Sequence, residues 1–276
     1  KRMLIKENQS ILIPIDFSKQ SLVSIQQTYN LAKFTNSKII LLHAFSGNEV
    51  DRKEELEQLA AQTSKESGLV VEALSVKGDI YEQTDAKAKE LFCGLIIVGL
   101  DTQVRFRSFF GGNNVSKFLK NAPCPVITMR STDNRNSCKN IVMPFDLTPE
   151  SREKVPIVVQ LAHYYGADIR IVSVFSPNDE KYENLILPYL NQVKKYIKEK
   201  GINCTNKSIP SNNVAESVVE YANKVDGDLI IQMNKRDLSF GEMFGGATSH
   251  KIVEISNIPV LSINPMIRES ISSGIH

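Results

Sequence analysis

Two aspartates occupy matching places in two similar stretches. Ile11–Ser18 reads ILIPIDFS and Ile141–Thr148 reads IVMPFDLT, so Asp16 and Asp146 each close a short apolar run. A carboxylate at that point either contacts a polar ligand or caps the turn and helix that follow. Further along, Gly111-Gly112 and Gly245-Gly246 each precede a segment of helical character. Glycines at a loop-to-helix junction let the backbone approach an anion, and the helix N-terminus favours negative charge. A plain turn needs the same glycines. A third cluster, Arg105–Phe110 (RFRSFF), interleaves basic and aromatic residues. Such mixing suits single-stranded nucleic acid. Phe106 and Phe110 recur as Phe240 and Phe244, however, which favours packing over a crevice. Lys235 and Arg236 either attract an anion or lie in a solvated loop.

Other chemistry has little support. The four histidines, His43, His163, His250 and His276, show no metal-ligand spacing. A Ser–His–Asp arrangement arises only by selecting scattered residues. Cys93, Cys124, Cys138 and Cys204 include no CxxC pair, so zinc and thioredoxin-like sites are not indicated, and reduced thiols are expected. The 276 residues carry 33 Lys+Arg against 31 Asp+Glu, a balance that argues against a nucleic-acid footprint. Apolar residues make up 42% and charged residues 23%, which is a globular composition. Apolar runs such as Leu95–Val98 are far shorter than the ~18 residues of a membrane span. The opening KRMLIKENQS has charge but no apolar core, so no signal peptide is expected. A cytoplasmic location, with no membrane partner, follows as the expectation.

The elements that position these residues come as a repeat. An offset of 130 carries Pro14 to Pro144, Asp16 to Asp146, Ser21 to Ser151 and Phe45 to Phe175. An offset of 134 then carries Leu95-Ile96-Ile97 to Leu229-Ile230-Ile231 and Pro125-Val126 to Pro259-Val260. A period this long indicates two domains rather than a solenoid. The polar stretch Ser131–Ser137 reads as the joint, giving domains at 1–133 and 138–276.

Within the first copy, apolar runs at Ile11–Ile15, Ile39–Leu42, Val70–Val76, Leu95–Val98 and Val126–Met129 read as strands. Amphipathic stretches at Ser21–Thr35, Arg52–Ser67 and Tyr81–Leu91 read as helices, and Asn114–Leu119 as a helix beginning after Gly112. Alternation of strands and helices predicts a doubly wound, mostly parallel five-stranded α/β sheet in each copy. Ligands of such sheets sit at the carboxyl ends of the strands, which groups Asp16, His43, Gly99 and Gly112.

The order of these motifs closely resembles the universal stress protein family in its tandem form. The resemblance is carried by the strand followed by Asp16, the strand ending near His43, and Gly78-Asp79. It continues through Leu-Ile-Ile-Val-Gly (Leu95–Gly99), the loop ending in Gly111-Gly112, and Ala-Pro-Cys-Pro-Val (Ala122–Val126). It covers roughly Ser10–Arg130 and Lys139–Ile267. The resemblance implies an adenine nucleotide alpha hydrolase-like fold and, in some members, a pocket for an adenine nucleotide. Their loop runs Gly, two residues, Gly, nine residues, Gly and Ser or Thr. Here Gly99, Thr102, Gly112 and Asn113 stand at those places in the first copy. Thr102 is β-branched and resists the left-handed backbone open to glycine, whereas Asn113 can still donate to a phosphate.

In the second copy Met233 and Arg236 replace the first two glycines, leaving Gly246, Ala247 and Thr248. The first-copy site is therefore expected to comprise Pro14, Ile15, Asp16, Phe17, His43, Gly99, Thr102, Gly112, Asn113 and Asn114. The second would be a degenerate pocket with Asp146, Gly246, Ala247 and Thr248. The expected function is a stress-response binding module, not an enzyme, that takes ATP with Mg in its first copy. The alternatives are a scaffold without nucleotide and a slow ATP hydrolase. The two copies are expected to pack as an intramolecular pseudo-dimer through their last strands, with further pairing of chains left open.

Overall fold

The computed structural model describes residues 8–47, 49–100, 112–132, 137–234 and 246–265. The first half runs β1 (Ile11–Pro14), α1 (Lys19–Thr35), β2 (Ile39–Phe45), α2 (Lys53–Ser67), β3 (Val71–Lys77), α3 (Ile80–Glu90), β4 (Leu95–Gly99), α4 (Gly112–Asn121) and β5 (Val126–Met129). The second half runs β6 (Asn140–Pro144), α5 (Pro149–Glu153), α6 (Val155–Tyr165), β7 (Asp168–Phe175), α7 (Glu180–Glu199), β8 (Cys204–Pro210), α8 (Val214–Lys224), β9 (Leu229–Met233), α9 (Gly246–Ile255) and β10 (Val260–Ile263). The strands expected from the apolar runs are all present. The helix expected after Gly112 begins at Gly112 itself.

All ten strands form one sheet, in the order β3-β2-β1-β4-β5-β10-β9-β6-β7-β8. Pairing is parallel within each half. The halves join through their last strands, which are antiparallel, with Leu261 opposite Ile127. Side chains alternate across the sheet. Ile11, Ile13 and Ile15 lie in the core on the α1 side. Leu12, Leu42 and Val98 lie in the core on the α3–α4 side. Burial on both faces is what the unbroken apolar runs encode, and each fully buried Ile or Leu contributes about 1.5–3 kcal/mol.

Local signals set the helix ends. Ser18 caps α1 by accepting from the Ser21 N–H, and Asp79 caps α3 by accepting from the N–H groups of Tyr81 and Glu82. Gly68 closes α2 with φ +70°. The counterpart of α1 is broken into α5 and α6 at Lys154. Pro156 has no N–H for the Arg152 carbonyl, which removes a helical hydrogen bond at that point. Across the junction, Phe34 of α1 stacks on Tyr164 of α6, with ring centroids 5.9 Å apart. No helix among the described residues is long and apolar enough to cross a membrane.

Candidate functional site

In the first half, β1 has β2 on one side and β4 on the other, so strand order reverses at β1. A crevice opens there at the strands' carboxyl ends. Asp16 follows β1 in a tight turn toward α1. Its Oδ1 accepts from the Ser18 N–H at 3.0 Å and from the Ser18 hydroxyl at 2.6 Å. Ser18 Oγ in turn accepts from the Ser21 N–H at 3.2 Å. Oδ2 has no partner among the described residues, and Asp16 remains half-buried.

Asp16 borders a cavity of about 10 Å³ lined by Pro14, Ile80, Tyr81, Val98, Gly99 and Phe118 together with Thr84. That is room for about one water. Tyr81 and Phe118 both line the cavity, with ring centroids 5.1 Å apart. Burial holds the Tyr81 phenol far above its ordinary pKa, and Asp79 and Asp16 add to the shift. Sequence reasoning passed over Tyr81 and Phe118. In sequence, an aromatic residue at helical spacing looks the same as ordinary core.

Gly99 has a packing reason to be glycine. A Cβ there would lie 2.3 Å from the carbonyl carbon and oxygen of Gln20 and 2.5 Å from the Ser21 nitrogen. The first turn of α1 thus rests directly on the end of β4. The matching residue in the second half is Met233, which is buried.

The expected first-half site divides between the two faces of the sheet. Pro14, Asp16 and Gly99 border the cavity on the α3–α4 side. Ile15, Phe17 and His43 meet on the α1–α2 side. There His43 Nδ1 lies 2.9 Å from the Ile15 carbonyl. Because a carbonyl only accepts, Nδ1 carries the proton. Nε2 is buried and has no hydrogen bond among the described residues, in a side chain left 8% exposed. Phe17 packs edge-on to His43 at 5.2 Å and carries the Arg52 guanidinium 3.7 Å above its ring. Phe17 adopts φ +62°, a conformation that costs a residue with a Cβ about 1–2 kcal/mol.

Gly112 begins α4, and Asn113 and Asn114 continue its first turn. Thr102, the Arg105–Phe110 stretch, Gly111, Lys235, Arg236, Phe240, Phe244, Gly245 and His276 lie outside the described residues, as does most of the expected joint.

The second half differs at the same points. Asp146 is 4% exposed. Its Oδ1 accepts from the Thr148 N–H at 3.0 Å, from the Thr148 hydroxyl, and from the Ser151 hydroxyl at 2.6 Å. Leu147, matching Phe17, is not among the positive-φ residues. Ser173 stands where His43 does, and the Tyr182 phenol lies beside it, its pKa pushed up to about 12 mainly by burial. Gly246 opens α9, followed by an exposed Ala247 and a half-buried Thr248. Among the described residues, no group of three His, Cys, Asp or Glu is placed to hold a metal ion.

Comparison with known proteins agrees with this architecture. The chain is similar to a universal stress protein from Archaeoglobus fulgidus DSM 4304, with 16% identity and a TM-score of 0.71 over 92% of this chain and 98% of that one. It is equally similar to a protein of unknown function from Pseudomonas aeruginosa PAO1, with 19% identity and a TM-score of 0.70 over 94% of this chain and 93% of that one. At these identities the likeness shows the fold. A universal stress protein solved in complex with cAMP matches 46% of this chain at 19% identity, with a TM-score of 0.39. No match to a curated protein was found. The universal stress protein family model matches residues 7–130 and again residues 137–264. The chain therefore belongs to the universal stress protein family, with two family domains in tandem.

Proposed function

We propose that this chain is a non-catalytic binding and regulatory module of a stress response, acting in the cytosol. In this reading its first domain takes one adenine nucleotide, as ATP with Mg²⁺, and its second takes none. The domains span 1–133 and 138–276. The supporting observation is the difference between the two turns that follow the first strand of each half. In the first, Phe17 is held in a strained backbone and Asp16 keeps one carboxylate oxygen without a partner among the described residues. In the second, the backbone is relaxed and Asp146 is buried among the hydroxyls of its own turn. Strain that one copy retains and the other lacks marks a site whose geometry is selected for something besides stability.

Asp16 Oδ2 would accept from a nucleoside hydroxyl or amine. The backbone N–H groups at the start of α4, from Gly112 onward, would face the phosphates. Mg²⁺ would neutralise phosphate charge. The cavity beside Asp16 has room for about one water, so a nucleoside would have to sit beyond it or move the Tyr81 and Phe118 rings that line it. The small size of that cavity supports a second reading, a scaffold whose crevices stay closed.

Isothermal titration of the nucleotide-stripped chain with Mg-ATP separates the two. One site per chain is expected, abolished by Gly112→Val with the melting temperature nearly unchanged. Two sites per chain would overturn the assignment of the second domain. No heat up to millimolar ATP, with no nucleotide in denatured extracts, would leave the scaffold reading standing.

A further inference from the structure

The helix that opens at Gly112 is closed by the other domain. The last carbonyls of an α-helix have no partner within it. At the end of α4 those groups meet two side chains of the second domain. Asn264 Nδ2 lies 3.1 Å from the Leu119 carbonyl, 3.4 Å from that of Lys120 and 3.0 Å from that of Ala122. Asn234 Nδ2 donates to the Leu119 carbonyl at 3.2 Å and to Asn264 Oδ1 at 3.0 Å. Asn234 is 5% exposed, so its bonds form where water does not compete.

Among the described residues the arrangement is not reciprocated. Leu100 and Arg130 match Asn234 and Asn264, as paired backbone bonds show: Leu100 N–H to Met129 O and Asn234 N–H to Ile263 O. Leu100 has no polar side chain, and Arg130 feels the Glu254 carboxylate of α9. The half that lost its loop glycines therefore supplies the amides that finish the other half's helix.

We propose that Asn234 and Asn264 are positioning residues through which the second domain clamps α4, and thereby keeps the Gly112 end of that helix ordered for an anion. The second clause rests on the nucleotide reading above; the first does not.

Asn264 is half-exposed, so Asn264→Asp and Asn264→Ala are the variants of choice. Asp keeps the shape but turns an acceptor toward the carbonyls. Amide hydrogen exchange on the full chain should show residues 115–121 exchanging roughly tenfold faster in both variants, with β6, β7 and β8 as in the wild type. Titration with Mg-ATP should show affinity falling at least threefold, and Asn264→Gln should restore part of both. Unchanged exchange in α4 would overturn the clamp whatever ATP does. Faster exchange with unchanged ATP affinity would overturn the positioning role and leave a purely structural cap. If the wild type binds no ATP, the nucleotide reading and with it the positioning role fail, and the exchange result alone decides the clamp.

Discussion

The two first-strand turns start from nearly the same residues and end in different states. Asp16-Phe17-Ser18 and Asp146-Leu147-Thr148 share the carboxylate and the hydroxyl two residues on. Both use Oδ1 to hold that residue's N–H and hydroxyl. The outcome is decided around them. In the first half the α1 backbone settles on Gly99, and Phe17 is wedged between His43 and Arg52. In the second, Met233 occupies the glycine's place and the helix breaks at Lys154. Ser151 then reaches back to Asp146, its hydroxyl donating to the carboxylate and accepting from the Asp146 N–H. A local motif is thus reused with a different exposure in each half.

The sharpest way to break this comparison is to move the second half's residue into the first. Gly99→Met puts a Cβ into the Gln20–Ser21 backbone, and displacing that turn should destabilise the chain by about 3 kcal/mol. Chemical denaturation measures it. A loss under 1 kcal/mol would show that α1 yields freely and that the glycine is not a packing requirement.

The aspartates come next. Asp146→Ala removes a buried acceptor serving three donors and should cost about 2 kcal/mol. Asp16→Ala, at the more open turn, should cost about 1 kcal/mol and act chiefly on Mg-ATP affinity. Equal stability losses would erase the distinction between a structural and a ligand-facing carboxylate.

The smallest effect concerns Asp85 of α3, whose match in the second half is Val219. Burial raises the Asp85 carboxyl to about 7, and its Oδ1 has no hydrogen bond among the described residues. A folded-state pKa above the unfolded value near 3.9 favours the fold below about pH 4. That contribution is lost as pH rises toward 7. Asp85→Val should therefore flatten the decline in stability between pH 4 and 7. It should raise stability at pH 8 by about 0.5–1 kcal/mol, a figure that allows for screening at a partly exposed group. Unfolding midpoints across that range provide the check, and an unaltered slope would show that the carboxyl titrates normally.

Much of the architecture was legible in the chain itself. The offsets of 130 and 134 announced two copies, and unbroken apolar runs announced strands buried on both faces. Burial periodicity is a local property, written within a few residues of where it acts. The candidate site was legible only in part. Ile15, Phe17 and His43 meet on the face of the sheet opposite the cavity beside Asp16, a division set by the alternation of side chains along each strand. Tyr81 and Phe118 were hidden because a helix's apolar stripe does not reveal whether it covers core or lines a cavity.

By itself, then, the sequence determined the repeat, the order of strands and helices, and the family to which both copies belong. Tertiary structure alone decided that Gly99 answers to α1, that aromatic rings line the cavity beside Asp16, and that Asn264 finishes a helix 142 to 145 residues away. Each of these is a contact between segments that no local pattern links. They exist only once β5 and β10 have paired and the sheet has brought the two halves together.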